Sequence, residues 1–549
     1  MAKTEAAMAE PRTEVLDYEA FGQPPSQLFL DYLSAAPSAA GFYAGGFDLA
    51  AIAQAAQRTQ SYPRDRLALS AALVAQQRAR GADAAAVAAE QLEDPHSVAI
   101  VTGQQAVLFG GPLFVLYKAL AVMRVAAALE EAHSGPVVPV FWVASDDHDF
   151  AEIRQTTVLD DDGHLRSLRY NPHHEPTGQP ASEIALDDTI VGLVDELAVA
   201  LPAGPNREAL IAQVAGAYRP GETIASAFAR LLSSWLPGLI VLDPSDPALK
   251  RLMAPILSRE IREDSPSSQC SAAVAVRLKQ AGYHQQVPVR EGFFNVFTVL
   301  DGERHALGAR DGAVEVRGTD LRLTTEVAVA RLAADPGAWS PGVLLRPVAQ
   351  DHLLPTAAYI GGPAEIAYHA QIGPSYERFG VPRPALLPRP SLTLVEAAQS
   401  RALRTEKLSL VDLESDPQGI VARWAKESYP DVEAAFARAR VALERELGEL
   451  EATLTAIDPT LGRAAESARG RALHQVGTLH EKSIRALKKR DNTRAERLKR
   501  TRDALFPGGS LQERGLSQVV PLARHGESLI REIGARLDPW AKGHQVLFL

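Results

Sequence analysis

Ser97-Val-Ala-Ile-Val-Thr102 runs directly into Gly103-Gln-Gln-Ala-Val-Leu-Phe-Gly-Gly-Pro112, and the reading of this stretch decides the fold. The first six residues are β-branched or small and almost wholly apolar, as a strand buried on both faces should be. The next ten form a loop with three glycines, and Pro112 is well placed to open the helix read over Leu113 to Glu131. Gly135-Pro136 ends that unit. Val137 to Ala144 (VVPVFWVA) is a second buried strand, and Ser145-Asp-Asp-His-Asp149 follows at once. Strand, crossover helix and strand make a βαβ unit, so the two strands are predicted to be parallel and the crossover right-handed. Ligands of such open sheets sit outside the carboxyl ends of the strands. Both unusual loops fall there.

Outward from this unit, Asp48 to Gln91 is Ala-rich and helical in character. Leu239-Ile-Val-Leu242 reads as a third buried strand, finishing in the acidic turn Asp243-Pro-Ser-Asp246 before a helix over about Pro247 to Glu263. The polar stretch between the second and third strands, near 154–235, reads as an insertion. From Tyr283 to Leu323, short strands are separated by Glu291-Gly292, Asp301-Gly302 and Asp311-Gly312, an antiparallel meander. Gly342 to Pro390 reads as loops and short helices crowded with Gly and Pro.

The last third differs in kind. Apolar residues from Val432 through Leu443 and Leu450 to Ile457 recur three or four apart; Asp458-Pro459 signals a turn; the spacing then resumes from Leu461 to Ala486. Two long amphipathic helices with a tight turn predict an antiparallel coiled-coil hairpin, whose first arm would be roughly 40 Å long. The expected domains are a core over 1–395, with the insertion near 154–235 and a β-meander near 283–323, a helical hairpin over 396–506, and a tail over 507–549 whose apolar Val546-Leu-Phe-Leu549 docks on the core.

Composition excludes several classes. With 549 residues, 46% of them hydrophobic, the chain is too apolar for intrinsic disorder and long enough for more than one core. The single Cys270 excludes a disulfide within the chain and any zinc site built on two thiolates, and suits a reducing cytoplasm. A formal charge of −10 argues against a protein devoted to nucleic acid or anionic membrane. Met1 to Arg12 lacks the apolar core of a signal peptide. Lys118 and Arg124 break the longest apolar stretch, so no membrane span is expected.

Three groups of residues carry chemistry. Glycines at 103, 110 and 111 let backbone N–H groups approach a phosphate or carboxylate at a helix N-terminus. The loop is neither a Walker A sequence nor GxGxxG, and a plain strand-to-helix turn is the alternative. Gln104 and Gln105 favour a ligand, because paired amides offer donors and acceptors that a turn does not need. Asp146, Asp147, His148 and Asp149 crowd three carboxylates beside an imidazole, which is costly unless a cation, a protonated His or a substrate amine compensates. They point to Mg²⁺ or ammonium binding, or to acid–base work by His148; the alternative is a hydrogen-bonded helix cap. In the third group, Arg346 can hold a carboxylate or phosphate by its planar fork, Gly361-Gly362 permits close backbone approach, and Glu365 can orient an amine. A structural turn with a surface ion pair is the alternative there. The run Lys482 to Arg502 holds ten Lys/Arg against two acids; it reads as the solvated face of a long helix, with RNA binding the alternative.

These residues also resemble a family. Thr102-Gly-Gln-Gln-Ala, Leu108-Phe-Gly-Gly-Pro112, Pro139-Val-Phe-Trp-Val-Ala144 and Asp147-His-Asp-Phe150 are similar to the bacillithiol-biosynthesis cysteine-adding enzymes, the cysteine ligases called BshC. The resemblance continues through Leu344-Leu-Arg-Pro347, Gln350-Asp351, Leu354-Pro-Thr356, Tyr359-Ile-Gly-Gly-Pro-Ala-Glu-Ile-Ala-Tyr368, Pro388-Arg389 and Leu511-Gln-Glu-Arg514. Asp146 departs from it, where Glu is as common; Asp keeps the charge and shortens the reach.

The resemblance implies an α/β fold: a Rossmann-like, nucleotidyltransferase-type parallel-sheet core with connecting insertions, plus a coiled coil that supports a homodimer. It implies a ligase adding L-cysteine to the amino group of glucosaminyl-malate, the last step of bacillithiol biosynthesis, in the cytoplasm. Amide formation in water requires an activated carboxyl, so ATP with Mg is the expected cosubstrate; no zinc and no flavin are expected, nor any resident metal. HIGH and KMSKS signatures are absent. The expected roles follow. Thr102, Gly103, Gln104 and Gln105, with Gly110 and Gly111, cradle the activated carboxyl or nucleotide. Asp147, His148 and Asp149 bind the amine or act as base. Arg346 and Glu365 orient malyl carboxylates and amino groups, with Gln350, Asp351, Gly361, Gly362 and Tyr368 around them. The alternatives are a nucleotide-binding accessory protein of a thiol pathway, or an RNA-acting nucleotidyltransferase relative.

Overall fold

The apolar run beginning at Val98 becomes the middle strand of a five-stranded sheet. The structure is a computed structural model that describes residues 12–290, 292–310, 312–415, 419–420, 423–424, 429–490 and 492–549. Residues 1–11, Glu291 and Asp311 of two expected turns, and the side chains of 487–493 in the basic run lie outside the described residues. In chain order the sheet strands are β1 (Val98–Gln104), β2 (Val137–Val143), β3 (Ile240–Leu242), β4 (Thr356–Gly361) and β5 (Ala385–Pro388). Their spatial order is β5-β4-β1-β2-β3, every pairing parallel. The β1–β2 register runs from Val98↔Val137 to Gln104↔Val143. Val98, Ile100 and Val101 are fully buried, each side chain contributing about 1.5–3 kcal/mol of hydrophobic stabilisation. Helix α1 (Leu113–Glu130), the crossover between β1 and β2, is buried on almost every side, which explains its nearly unbroken apolar sequence.

The reading of Gly342 to Pro390 as loops and short helices is corrected. This segment supplies β4 and β5, two of the five core strands, together with α3 (Arg346–Leu353) and the long α4 (Pro363–Phe379). Both long elements were disguised by composition. β4 opens Thr-Ala-Ala and ends in Gly, so it lacks the β-branched density of a strand, and Gly373-Pro374 interrupts the helical pattern of α4.

Around the sheet, the insertion after β2 holds an antiparallel hairpin (Gln155–Leu159 with Leu165–Arg169) and helices over Thr189–Ala200, Pro205–Ala217 and Ile224–Trp235. Helix α2 (Pro247–Arg262) follows β3. The meander runs from Phe293 to Leu323 and is extended by Trp339–Pro341, which pairs with Phe293–Leu300. Asp301 and Gly302 both adopt positive φ, 53° and 81°, as a tight two-residue hairpin turn requires. A separate three-stranded sheet has His544–Phe548 at its centre, antiparallel to Thr13–Leu16 and parallel to Ser391–Val395.

By backbone contacts the chain divides into a unit running to Val395 that also takes in Ser510–Leu549, and a second unit, Glu396–Gly509. In the second, α5 (Pro430–Ile457) and α6 (Pro459–Arg490) meet at Asp458, whose carboxylate accepts the Thr460 N–H. Glu433 pairs with His480 near one end of the two helices and Glu451 with Arg469 nearer the turn. No helix among the described residues is long and apolar enough to cross a membrane.

Candidate functional site

The sheet order fixes where a ligand can sit. From β1 the chain moves to β2 and β3 on one side, then returns to place β4 and β5 on the other. The connections after β1 and β4 therefore leave in opposite directions, and the crevice between them is a topological switch point. A hollow of about 550 Å³ opens there. Gly103, Gln104 and Gln105 enter from the end of β1, Trp142 and Ala144 from β2, and Gly362 to Glu365 from the β4–α4 turn.

Lys118, on α1, is the hollow's organising cation. Its side chain is 1% exposed, yet its three donors are all used: Gly103 O at 2.7 Å, Gln104 Oε1 at 3.1 Å and Glu365 Oε2 at 2.5 Å. Glu365 also accepts the Tyr359 hydroxyl at 2.5 Å and the Gly362 N–H at 2.7 Å. Burial pushes the Glu365 carboxyl up, but Lys118 and these hydrogen bonds outweigh it and hold Glu365 below the usual range. Burial pulls Lys118 down, and Glu365 opposes that pull.

Arg346, at the start of α3, aims its guanidinium at the opposite wall. It donates to Gln350 Oε1 at 2.8 Å and to the Tyr368 hydroxyl at 3.0 Å. Gln350 in turn donates to Asp351, whose other oxygen accepts the Tyr376 hydroxyl at 2.6 Å. Gln350 and Asp351 are buried behind Arg346 and position it; they do not line the hollow. Arg389, just past β5, forms a buried bidentate pair with Glu513 at 2.9 and 2.6 Å. The segment after Ser510 thus supports one wall, and Arg514 stands exposed at the mouth.

The acidic run after β2 is divided among separate tasks. Asp146 pairs with the buried Lys250, the compensating cation that crowded carboxylates require. Asp147 accepts Gln105 Nε2 at 2.6 Å and the His148 N–H at 2.8 Å, tying the β1 and β2 loops together. Asp149 caps the short helix Phe150–Ile153 through the Glu152 N–H, the helix-cap alternative. His148 is partly exposed, its Nδ1 3.2 Å from Arg304 Nη1. Arginine can only donate, so Nδ1 accepts and the proton of the neutral ring sits on Nε2. Burial, then Arg304, pulls the His148 pKa down against Asp147 and Asp149, which favours the neutral ring.

Besides Gln350 and Asp351, the expected catalytic residues Asp147, His148 and Asp149 lie outside the hollow's lining, and so do four more residues of the sequence reading. Thr102 is buried and donates to Ile360 O, joining β1 to β4. Gly361 lies under Tyr359 and Glu365. Gly110 and Gly111 hold positive φ, 86° and 78°, and a Cβ on Gly110 would lie 2.7 Å from Gln518 and 3.0 Å from Trp235. These two serve a packed turn. Nor is the N-terminus of α1 offered to a ligand, since the Leu113 N–H donates to Leu516 O; the helix start that does face the hollow is that of α4.

Lys118, Arg389, Arg514, Lys250 and Arg304 were not singled out in the sequence as site residues. Lys118 did leave a signal: it is one of two cations, with Arg124, in an otherwise apolar helix, and a cation buried there needs a partner. Arg389 and Arg514 fall within the resemblance motifs, whereas Lys250 and Arg304 left no local mark.

The N-terminal Rossmann-like domain described for bacillithiol biosynthesis BshC matches residues 12–390, and the C-terminal coiled-coil domain of the same family matches 392–549. A protein of Salinibacter ruber named "Putative cysteine ligase BshC" is 34% identical over 530 residues, covering 95% of this chain and 96% of its own. One of the same name from Koribacter versatilis is 34% identical, covering 92% and 94%. Among solved structures, a Campylobacter jejuni chain named "putative arginyl t-RNA synthetase" matches at 10% identity with a TM-score of 0.21, too slight a likeness to carry weight.

Proposed function

The chain belongs to the bacillithiol-biosynthesis BshC family, and from that premise we propose that it joins the carboxyl of L-cysteine to the amine of glucosaminyl-malate as an amide. The observation that carries this reading is the composition of the hollow: Arg346, Arg389 and Arg514 converge on it while Lys118 is neutralised by Glu365. Such a surface suits a sugar bearing two carboxylates, with Arg346 and Arg514 keeping N–H donors for the malyl group. Gln104 and Gln105 face the same space, offering amide groups to sugar hydroxyls.

A carboxylate is a poor electrophile, and ATP with Mg is the proposed activating cosubstrate. The cationic walls and the start of α4 fit its phosphates, and the nucleotide would supply the leaving group that the attacking amine displaces. Asp147, bonded to Gln105 of the lining, and His148 beside it are the proposed groups for receiving the amine's proton; His148 does so only when its Nδ1 is released from Arg304. The nucleotidyltransferase-type character of the core, a cytoplasmic location and a homodimer through the helical hairpin belong to the same proposal. The Glu433–His480 and Glu451–Arg469 pairs support the antiparallel arrangement of that hairpin.

The test uses the purified full chain with glucosaminyl-malate, cysteine and ATP, the amide product being read by mass spectrometry. Product formation by the parent protein and its loss in Gln104→Ala and His148→Ala, with folding intact, is the expected result. No product from the parent protein refutes the ligase reading, and unchanged activity in both variants removes those residues from the mechanism.

A further inference from the structure

A second cavity, of about 200 Å³, lies on the far side of the acidic run from the hollow. Its charged groups are Lys250 on α2, Arg304 on the meander, Asp146 after β2 and Glu183 in the insertion. Two cations and two carboxylates make its formal charge zero while leaving both signs exposed to an occupant.

The unused hydrogen-bonding capacity is as telling as the charge. Arg304 donates to Ser340 Oγ, His148 Nδ1 and Pro341 O, three of its five N–H groups. Lys250 donates to Asp146 and to Trp339 O, two of its three. Among the described residues, three donors on these cations therefore remain for a guest. One oxygen of Asp146 takes Lys250, and no hydrogen bond among the described residues reaches the carboxylate of Glu183, at the cavity's edge. Burial pushes the Glu183 carboxyl up, as a carboxylate short of partners behaves. An anion alone would meet Asp146 and Glu183, and a cation alone would meet Lys250 and Arg304. A small molecule carrying both charges satisfies all four. At about 200 Å³ against 550 Å³ for the hollow, the cavity suits a small α-amino acid better than a nucleotide.

This cavity also connects to the hollow. Gln105 lines the hollow and donates to Asp147; Asp147 accepts the His148 N–H; the His148 ring accepts from Arg304, which lines the second cavity. We infer that the second cavity is the binding site for a free α-amino acid, its carboxylate held by Arg304 and Lys250 and its ammonium by Asp146 and Glu183. Naming that amino acid L-cysteine rests on the proposed ligase function, in which this cavity holds cysteine before its carboxyl is activated in the hollow; the zwitterion site rests on the cavity alone.

Calorimetric titration of the full chain with L-cysteine under reducing conditions, without nucleotide or sugar, tests it. One saturable site is expected. Cysteamine, which lacks the carboxylate, and 3-mercaptopropionate, which lacks the amine, should each bind about tenfold more weakly or worse. Glu183→Gln at the cavity's edge and Ser182→Leu, which fills the space beside it, should each weaken cysteine by about tenfold and leave glucosaminyl-malate binding unchanged. Ser182 makes its bond to Ser145 O through its backbone, so Leu preserves that link. Unchanged cysteine affinity in both variants, or competition between cysteine and glucosaminyl-malate for one site, overturns the inference while leaving a product-forming ligase intact. Serine binding as tightly as cysteine, with the same Glu183 dependence and no amide product, keeps the zwitterion site and overturns the ligase reading instead.

Discussion

Glu365→Gln isolates the charge on which the hollow is built. Gln keeps the shape and can still accept from Lys118 and Tyr359 through its amide oxygen, so the substitution removes the counter-charge more than the packing. Lys118 is 1% exposed and, among the described residues, has no other carboxylate bonded to it. Removing one partner of a buried pair costs about 3–5 kcal/mol. The Glu365 side chain is 23% exposed, so solvent screens part of that loss and the lower end, about 3 kcal/mol, is expected. Urea unfolding followed by tryptophan fluorescence and by circular dichroism measures it. The deficit should shrink as pH rises from 7 toward 10. With its partner gone, Lys118 has a folded-state pKa below its unfolded value, so proton binding favours the unfolded chain and its loss at high pH restores stability. Adding Lys118→Met should recover most of the deficit, because an apolar side chain leaves no charge stranded. A Glu365→Gln protein within about 1 kcal/mol of the parent, with no pH dependence of the difference, would mean that Lys118 is uncharged in the native protein and that the account of the hollow's electrostatics is wrong.

Two further outcomes follow from the same physics. His544 is fully buried between the hydroxyls of Ser391 and Thr393, and burial lowers its pKa to about 4. Its contribution is complete above pH 6.5 and is lost as pH falls toward 4, about 3 kcal/mol in all; His544→Gln should flatten the urea midpoint between pH 7 and 4.5, and an unchanged slope would refute this. Arg346→Lys keeps the charge and loses the fork that spans Gln350 and Tyr368, so the KM for glucosaminyl-malate should rise about tenfold or more; steady-state kinetics showing the parent KM would move Arg346 off the substrate.

The sequence made the β1–α1–β2 unit legible because its strands are buried on both faces and therefore read as unbroken apolar runs. β4 and β5 were hidden for the opposite reason: β4 begins Thr-Ala-Ala, and β5 is four residues ending in Pro388. The hollow's lining was legible in part. Gln104, Gln105, Arg346, Gly362, Glu365 and Tyr368 line the hollow, and each stands in a motif beside a strand end or at a helix start. Gly110 and Gly111 carry the same local signal as Gly103, but their neighbours Gln518 and Trp235 lie far along the chain. No local pattern distinguishes a glycine that admits a ligand from one that admits a distant side chain. Lys250 and Arg304 were hidden likewise, since their meaning comes from Asp146 and His148, supplied by other segments.

Sheet topology explains why two cavities lie beside one another here. β1 and β4 part at the switch point and open the hollow, while the loop after β2, one strand further, must turn away to start the insertion. Its four titratable residues are drawn in different directions: Asp147 toward the β1 loop, Asp149 into a helix cap, Asp146 to Lys250, and the His148 ring to Arg304. The segment therefore forms a wall between the cavities, with a contact on each side. Among the described residues, two N–H groups of Arg304 are uncommitted, so a guest's carboxylate in the second cavity would bind the same guanidinium that meets Nδ1 of His148.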